Sequence, residues 1–268
     1  MPNLHVETDV KYDYGDAFEV REIAILMAAG LGSRMKPLTD TTAKPLVKVN
    51  GVPLIETVIA ALEKRGVGEI YVVTGYKAEQ FEAIAARNGK VRLVHNLEYA
   101  TKNNINSVAV VADKIKNADC FICEADIFIA NDAVLCRELP RSGYLGKMVR
   151  GHSADWVFDT DSNGRITRVG KCGDDCFNMV GVSYFKAADA AKIAAAVLED
   201  VKKPENAQLF WDEVVDRLVK QGELDLVVHE VAPDEIVECD TVEDLKTLEA
   251  KLAQVVPDIC PREKGLQD

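Results

Sequence analysis

Two glycines and three cationic residues lie close together near the start of the sequence, directly after a short apolar run. Gly30 and Gly32 are followed by Arg34, Lys36 and Lys44. Glycine lets backbone N–H groups approach a phosphate closely, arginine can bind a phosphate through two hydrogen bonds, and lysine supplies a point charge. A glycine pair alone is more typical of an ordinary turn, but the pair together with three cations indicates a loop that binds phosphate groups.

Two common phosphate-binding motifs do not match this stretch. A dinucleotide-binding loop has a third glycine where this sequence has Met35, and Pro37 interrupts the helix that would follow. The phosphate loop G-x-x-x-x-G-K-[ST] is also absent. The sequence therefore disfavours a dehydrogenase of the dinucleotide-binding type.

Two aspartates at the ends of predicted strands could bind a divalent metal. Asp126 ends the stretch "FICEAD", and Asp240 ends "IVECD" just before the last predicted helix. Ligands of open α/β sheets bind beyond the carboxyl ends of the strands, and Mg²⁺ prefers one or two carboxylates together with water and phosphate oxygens. An aspartate before a helix is also a common N-cap, so Asp240 or Thr241 could serve only that purpose.

The composition is that of an acidic globular protein. The 268 residues include 32 lysines and arginines against 44 aspartates and glutamates, a formal net charge of −12. Such a charge repels nucleic acids and anionic membranes, so neither is an expected partner, whereas a small anion could bind in a local basic pocket. No apolar run approaches the ~20 residues of a membrane-spanning helix, and the first residues lack a signal-peptide pattern. We therefore expect a cytoplasmic protein with no membrane insertion.

The seven cysteines are an odd number, which favours reduced thiols over disulfides. Cys120 and Cys123, with Cys172 and Cys176, could instead form the two halves of a zinc site. The sequence disfavours zinc, because Cys120 and Cys123 lie three residues apart on a predicted strand and would point to opposite faces.

Strand and helix patterns alternate from residue 22 to about residue 140, and the pattern then changes. The first part contains four successive strand–helix units, which predict a mostly parallel sheet with helices on both faces. After residue 140 the stretches "GYLGKMVR", "DWVFDTDSNGRITRV" and "CFNMVGVSYF" are strand-like, and "DSNG" is typical of a hairpin turn. Two helices near 187–200 and 208–221, two strands and a final helix follow. We predict an α/β fold with a Rossmann-like, mostly parallel central sheet and a mixed, hairpin-bearing second half.

The glycine-rich stretch is part of a longer pattern, "AAGLGSRMKPLT…AKPLVKV", that resembles the signature of nucleotidyltransferases of the sugar-phosphate nucleotidylyltransferase type. These enzymes couple a nucleoside triphosphate to a phosphorylated small molecule and release pyrophosphate. The resemblance implies a GT-A-like fold, a Mg²⁺ cofactor bound by Asp126 and Asp240, and catalytic roles for Arg34 and Lys44. It implies that the nucleotide is bound by Ala28, Ala29, Gly30, Leu31, Gly32, Ser33, Arg34 and Lys44. One departure is Glu124, where many relatives have aspartate.

Residues from about 23 to 252 resemble the bacterial CTP:phosphocholine cytidylyltransferases in particular. The similar stretches are "NLEYATKNNINSV", "EADIFI", "DWVF", "FWDEVV" and "EIVECDTVEDL". The resemblance implies transfer of CMP from CTP to phosphocholine, giving CDP-choline and pyrophosphate, by a protein that could form a homodimer. It implies one domain over residues 21–256, with a nucleotide-binding half to about residue 140 and an acceptor-binding half from about residue 141. Residues 1–20 and 257–268 would then be tails.

The acceptor site can be predicted from the chemistry of a quaternary ammonium, which proteins hold with aromatic faces and nearby carboxylates. Both tryptophans of the chain adjoin an aspartate, as Asp155–Trp156 and Trp211–Asp212. We predict an acceptor site formed by Asn104, Trp156, Tyr184, Trp211 and Asp212, to which Tyr99 and Phe158 could contribute. The alternatives are that the tryptophans are core residues and that Asn104 caps a helix.

Two further alternatives are open at this point. The acceptor could be 2-aminoethylphosphonate, or a sugar or polyol phosphate, and a primary ammonium would favour carboxylates over aromatic rings. The chain could also be a non-catalytic relative that binds a nucleotide to regulate a partner. Such proteins typically lose the loop arginine, the lysine or a metal aspartate, and all of these are present here.

Overall fold

A computed structural model of the protein describes residues 22–255. The predicted tails, residues 1–20 and 257–268, lie outside the described residues. The strands are β1 (Glu22–Ala28), β2 (Lys48–Val49), β3 (Val52–Pro53), β4 (Glu69–Thr74), β5 (Val91–His95), β6 (Asp119–Glu124), β7 (Ile127–Ile129), β8 (Gly143–Thr160), β9 (Ile166–Phe185), β10 (Val227–Glu230) and β11 (Ile236–Glu238). The helices are α1 (Leu54–Arg65), α2 (Glu82–Arg87), α3 (Ile105–Ala109), α4 (Ala112–Ile115), α5 (Ala187–Asp200), α6 (Trp211–Lys220) and α7 (Val242–Val255).

Seven of the strands form one central sheet in the order β10-β8-β9-β6-β1-β4-β5. β6, β1, β4 and β5 are mutually parallel, whereas β9 runs antiparallel to both β6 and β8. β10 is parallel to β8 at the other edge. The predicted fold class, a mostly parallel central sheet with a mixed second half, is therefore confirmed.

The first strand and helix form where the sequence pattern predicts them. After Glu22, β1 is apolar along its length and is largely buried on both faces, as expected for a central parallel strand. α1 buries one apolar face, which includes Leu54, Val58 and Leu62. The helix ends at Gly66, whose φ of 92° is the left-handed conformation that favours glycine at a helix C-terminus.

The second half differs from the prediction, because three predicted strands are in fact two long ones. β8 and β9 have 18 and 20 residues and form a single hairpin around the "DSNG" turn. Shifts of register interrupt the pairing at several points, and such bulges bend a hairpin. Val157 pairs with Asn178 as well as with Gly170, and Phe158 pairs with Phe177 as well as with Val169. The outer part of the hairpin therefore folds back alongside its inner part. The helix predicted at 208–221 begins later, at Trp211.

Hydrophobic clusters lie on both faces of the central sheet. A third, smaller cluster includes residues that follow β1. This third cluster contains Met35, Val47 and Leu54 together with Cys239 and Leu245. It therefore packs the stretch after β1 against the segment that leads into α7. No helix within residues 22–255 is both long and apolar enough to cross a membrane.

Candidate active site

A buried lysine joins the two candidate metal aspartates at the carboxyl edge of the sheet. Lys44 Nζ lies 2.7 Å from Asp126 Oδ2 and 2.6 Å from Asp240 Oδ1, and the residue is only 7 % exposed. Asp126 follows β6 and Asp240 follows β11, so the two aspartates come from distant parts of the sequence. The sequence prediction placed these three residues in one site, and the structure brings them into direct contact.

The backbone after β1, here called the glycine loop (residues 29–44), sets the position of Lys44. Gly32 has a φ of 63°, and a Cβ atom there would lie 2.8 Å from Lys44 Cβ and 2.9 Å from Thr39 Cγ2. Thr39 Oγ1 also donates a hydrogen bond to the carbonyl oxygen of Gly32 over 2.9 Å. Position 32 therefore needs glycine both for its conformation and for the close approach of the lysine side chain.

Two cations and two carboxylates balance one another in this network. Arg34 Nη1 lies 2.9 Å from the second oxygen of Asp240, and the arginine side chain is otherwise largely exposed. Burial acts to lower the pKa of Lys44, but Asp126 and Asp240 outweigh it and raise that pKa above its ordinary value. Burial acts to raise the pKa of Asp240, but Lys44 and Arg34 hold it below its usual range. Lys44 and Asp240 thus each stabilise the charged form of the other.

A cavity of about 420 Å³ opens beside this network and is called here the loop cavity. Of the residues predicted to bind a nucleotide, seven line it: Ala28, Gly30, Leu31, Gly32, Ser33, Arg34 and Lys44. Ala29, the eighth, lines the adjoining cavity. The wall of the loop cavity is completed by Met27, Pro45, Tyr99, Asn103, Asp126 and Asp240. Backbone amides and two cations therefore face one space, as binding of a polyphosphate requires.

A second cavity of about 490 Å³, the hairpin cavity, continues from the first and shares Met27, Gly30, Arg34, Asp126 and Asp240 with it. Trp156 and Asn104, both predicted acceptor residues, line the hairpin cavity. A ligand in the hairpin cavity would therefore meet a ligand in the loop cavity at the two aspartates.

An aromatic pair forms one wall of the hairpin cavity. The ring of Trp156 on β8 packs edge-on against Phe210, with 5.4 Å between ring centroids. Lys171 on β9 places its Nζ 5.6 Å from the Trp156 centroid and 5.0 Å from that of Phe210. Phe210 and Lys171 were not predicted as site residues, although Phe210 directly precedes the predicted Trp211.

Three further carboxylates line the hairpin cavity: Glu124, Asp155 and Glu238. Burial, together with Asp126 and Glu238, raises the pKa of Glu124 well above its usual range. Burial, reinforced by neighbouring carboxylates such as Asp240, also raises the pKa of Glu238 to about 7. The cavity is therefore strongly acidic, and a bound cation would relieve the repulsion among these side chains.

Three of the predicted acceptor residues lie outside the hairpin cavity. Trp211 is buried in the core, where its ring stacks on Tyr144 at 5.9 Å and meets Phe185 edge-on. Asp212 is also buried, and its Oδ1 accepts a hydrogen bond of 3.1 Å from the hydroxyl of Tyr144. Burial raises the pKa of Asp212 to about 7. The carboxyl group is therefore held in the core rather than offered to the hairpin cavity.

The structure corrects the prediction for Tyr184. This residue lies near the amino-terminal ends of the parallel strands, whereas the candidate site lies at their carboxyl ends. β9 runs antiparallel to β6, so its last residues lie beside the beginning of the parallel strands and not beside their carboxyl ends. The Tyr184 hydroxyl lies 2.9 Å from Glu22 Oε1 and 3.0 Å from Asp119 Oδ2. Phe158, which could have completed a cage, is fully buried beside Tyr144.

Asn104 contacts the hairpin cavity and also caps a helix, although not the one that follows it. Its Oδ1 accepts a hydrogen bond of 2.9 Å from the backbone N–H of Trp211, the first residue of α6. Asn103 donates two hydrogen bonds to the residues just before α6. Its backbone N–H bonds to the carbonyl oxygen of Ala207, and its side-chain amide bonds to that of Gln208. These bonds tie the loop before α3 to the segment that carries Phe210.

Asp126 and Asp240 have a donor set and arrangement suited to Mg²⁺. Their oxygens converge on one ammonium group, which shows that this position favours a cation, and two carboxylates completed by phosphate oxygens and water suit Mg²⁺. Across residues 22–255, no group of three or more histidine, cysteine, aspartate or glutamate side chains is arranged to hold a metal ion. Phosphate oxygens and water would supply the remaining ligands of a Mg²⁺ held by these two aspartates.

Comparison with known proteins agrees with this geometry. Residues 24–166 match the family model of the MobA-like NTP transferase domain. The chain is 48 % identical over 222 residues to the 2-aminoethylphosphonate cytidylyltransferase of Lancefieldella rimae, covering 83 % of this chain and 89 % of that protein. It is 33 % identical over 226 residues to the choline-phosphate cytidylyltransferase of Streptococcus pneumoniae, covering 84 % and 96 %.

A solved structure of the CTP:phosphocholine cytidylyltransferase from Streptococcus pneumoniae superposes with a TM-score of 0.80. The match has 33 % sequence identity and covers 87 % of this chain and all of the other. The resemblance seen in the sequence is therefore confirmed in three dimensions, and the GT-A-like nucleotidyltransferase fold with it. On the combined evidence of family model, relatives and structure, the chain belongs to the family of MobA-like NTP transferase domains.

Proposed function

We propose that this nucleotidyltransferase transfers CMP from CTP to 2-aminoethylphosphonate and releases pyrophosphate. The observation that carries the choice of acceptor is the set of three carboxylates in the hairpin cavity, Glu124, Asp155 and Glu238. A primary ammonium donates three hydrogen bonds and matches carboxylates, whereas a quaternary ammonium donates none. The 48 % identity to a 2-aminoethylphosphonate cytidylyltransferase supports the same acceptor.

The orientation of the acceptor follows from the order of charges along the two cavities. The aminoethyl group would lie among the carboxylates of the hairpin cavity. Its phosphonate would point towards the boundary of the two cavities at Asp126 and Asp240, which Lys44 contacts. The triphosphate of CTP would lie along the glycine loop, so that its α-phosphorus faces the phosphonate.

The proposed reaction is a direct displacement at the α-phosphorus of CTP. A phosphonate oxygen forms a bond to that phosphorus, the bond to the oxygen bridging the α- and β-phosphates breaks, and the electron pair leaves with pyrophosphate. The phosphonate is already an anion, so no side chain needs to remove a proton. Positioning and charge neutralisation suffice for such a step.

The side chains of the charge network have distinct proposed roles. Lys44 would stabilise the negative charge that builds up around the α-phosphate, and Arg34, which is largely exposed, would bind the departing pyrophosphate. Asp126 and Asp240 would hold Mg²⁺. When bound there, Mg²⁺ supplies charge neutralisation for the polyphosphate.

Phosphocholine is a second candidate acceptor because of the aromatic pair. Trp156 and Phe210 line the hairpin cavity as a contacting pair, and aromatic faces bind quaternary ammonium groups. The 33 % identity to a choline-phosphate cytidylyltransferase supports this candidate too. Lys171 already lies over both rings, however, which is why we favour the primary ammonium.

The test is a pyrophosphate-release assay with Mg²⁺, in which each of four nucleoside triphosphates is paired with each of four acceptors. The acceptors are 2-aminoethylphosphonate, phosphocholine, phosphoethanolamine and glucose 1-phosphate. We expect the highest kcat/KM with CTP and 2-aminoethylphosphonate. A clear preference for phosphocholine would overturn the acceptor, and silence in every combination from folded protein that still binds CTP would make the chain a nucleotide-binding regulator.

A further inference from the structure

Lys171 occupies the position at which an aromatic pair would receive a cation. Its Nζ lies 5.6 Å from the centroid of Trp156 and 5.0 Å from that of Phe210. Lys171 and Trp156 are also direct cross-strand partners in the β8–β9 hairpin, so the pleat holds the lysine stem beside the indole. The ammonium is thus placed over the rings by the pairing of the strands.

The same three residues separate the hairpin cavity from a further cavity outside it. Trp156, Lys171 and Phe210 line both spaces. The outer cavity has a volume of about 630 Å³, and α6 contributes Glu213, Asp216 and Lys220 to its wall. Lys171 is therefore part of a thin partition between the two spaces, and its side chain also borders solvent.

We propose that Lys171 determines acceptor specificity: by covering Trp156 and Phe210 it excludes quaternary ammonium groups and leaves the carboxylates as the binding site for a primary ammonium. This inference rests on the proposed function and refines it. A trimethylammonium group could use the rings only by displacing a charge of its own sign. A primary ammonium needs no ring face, because Asp155 and Glu238 line the same cavity.

Displacement of Lys171 costs its cation–π contacts with the two rings. The carboxylates of the outer cavity do not offset this loss, because they already have partners. Glu213 Oε2 accepts a hydrogen bond from the backbone N–H of Phe210 over 2.8 Å. Asp216 accepts hydrogen bonds from Lys220 Nζ over 2.7 Å and from the backbone N–H of Val169 over 2.9 Å. A displaced Lys171 ammonium would therefore return to solvent without its ring contacts.

Binding of simple ammonium ions tests this role without any turnover. Tryptophan fluorescence would be followed during titration with tetramethylammonium and with ethylammonium, for the wild type and for Lys171→Met. Methionine keeps a long apolar side chain beside Trp156 but removes the charge. We expect Lys171→Met to bind tetramethylammonium about tenfold more tightly than the wild type, the size of one desolvated cation–π contact, with little change for ethylammonium.

Three further variants make the result specific. Lys171→Gln is a second uncharged variant in case methionine disturbs folding, and it should behave as Lys171→Met does. Lys171→Arg keeps the cation and should bind tetramethylammonium as weakly as the wild type. Lys202→Met removes an exposed lysine that lines neither cavity, and it should also resemble the wild type. No gain in the uncharged variants, or an equal gain in Lys202→Met, would overturn the role of Lys171.

The two proposals can fail separately. If another acceptor proves to be the substrate while tetramethylammonium binding still rises in Lys171→Met, the proposed acceptor is wrong and the role of Lys171 stands. If 2-aminoethylphosphonate is confirmed as the acceptor but tetramethylammonium binding does not rise, only the role of Lys171 is wrong. With both upheld, the ratio of kcat/KM for phosphocholine to that for 2-aminoethylphosphonate should rise about tenfold in Lys171→Met.

Discussion

Lys44 is the residue at which the two halves of the site meet. Its ammonium contacts Asp126 from the first half of the chain and Asp240 from the second. Because the lysine is buried, these carboxylates are its main source of charge stabilisation in the absence of substrate. The same ammonium is available to a phosphate group once a nucleotide fills the loop cavity.

Replacement of Lys44 by methionine should therefore impair catalysis far more than folding. We expect kcat for pyrophosphate release to fall by about 10²- to 10³-fold, the usual cost of removing one group that stabilises transition-state charge. Thermal unfolding should change much less, because methionine fills similar space and both aspartates are partly exposed to solvent. Lys64→Met is a suitable control, since Lys64 is paired with Asp132 on the surface. An unfolded Lys44→Met, or one with full activity, would contradict the assignment.

Asp212 predicts a pH dependence of the free energy of unfolding. Burial raises its pKa to about 7, so the folded chain keeps a proton there that the unfolded chain releases near pH 4. The folded state binds more protons in this window, and stability should therefore fall as the pH rises from about 4 to 7 and level off above it.

Asp212→Asn tests this dependence, because an asparagine oxygen can still accept the Tyr144 hydroxyl and carries no charge. Relative to the wild type, the variant should gain about 1–3 kcal/mol in unfolding free energy between pH 5 and pH 8. Urea unfolding at both pH values measures the gain. Asp132→Asn, at an exposed position, should show no such gain. Equal pH dependence in Asp212→Asn and the wild type would show that Asp212 is charged in the fold.

The choice between Phe210 and Trp211 shows what a sequence pattern cannot decide. The two aromatic residues are adjacent, and α6 begins between them. Phe210 has extended backbone, with ψ of 144°, so its side chain leaves the helical face and reaches the hairpin cavity. Trp211 is the first helical residue and points into the core. The sequence predicted a helix from residue 208, three residues before its actual start, and so did not separate the two rings at the helix boundary.

Among the segments that form the site, the glycine loop was the most predictable, because local geometry requires particular residue types in it. Gly32 has a left-handed φ, and the side chain of Lys44 occupies the space that a Cβ atom at position 32 would need. Such requirements leave a recognisable sequence pattern. The direction of β9 leaves no comparable pattern, since alternation along a strand says nothing about which neighbour it pairs with. For this reason the sequence prediction put Tyr184 in the acceptor site, although the residue lies near the amino-terminal ends of the parallel strands.

Gly32→Ala should disturb the loop through both backbone strain and crowding. The added methyl group would lie within 3 Å of Lys44 and Thr39 at a φ that disfavours alanine. We expect a lower melting temperature, weaker CTP binding by calorimetry and at least a tenfold loss in kcat/KM. Gly89→Ala is the matched control, because a Cβ atom there has no neighbour within 4 Å. If both alanine variants behave alike, the loop is not fixed by Gly32.

At the scale of the whole molecule, the site joins distant parts of one fold. The third hydrophobic cluster packs the glycine loop against the segment before α7, and β11 is anchored by pairing with β7. A nucleotide bound between the glycine loop and Asp240 would therefore bridge two ends of the described chain. Ligands that bind only the folded state raise its stability by mass action.

CTP with Mg²⁺ should accordingly protect the protein against heat. At a concentration one hundred times the Kd, the gain is about 2.7 kcal/mol, which corresponds to an increase of about 5–10 °C in melting temperature for a chain of this size. Differential scanning fluorimetry measures it. Addition of EDTA, or Asp240→Asn, should reduce the increase strongly. An increase that neither treatment changes would show that the nucleotide binds without the metal aspartates.

The pairing of Lys44 with Asp240 spans 196 residues of sequence. Contacts between residues so far apart in sequence form only after folding has brought the two ends of the intervening segment together. Such contacts therefore tend to form late. A molecule that has built β1 and the glycine loop but has not yet paired β11 with β7 would lack one of the carboxylates that balance the loop cations. Recovery of pyrophosphate release during refolding would therefore mark the completion of the native structure, after the central sheet has already formed.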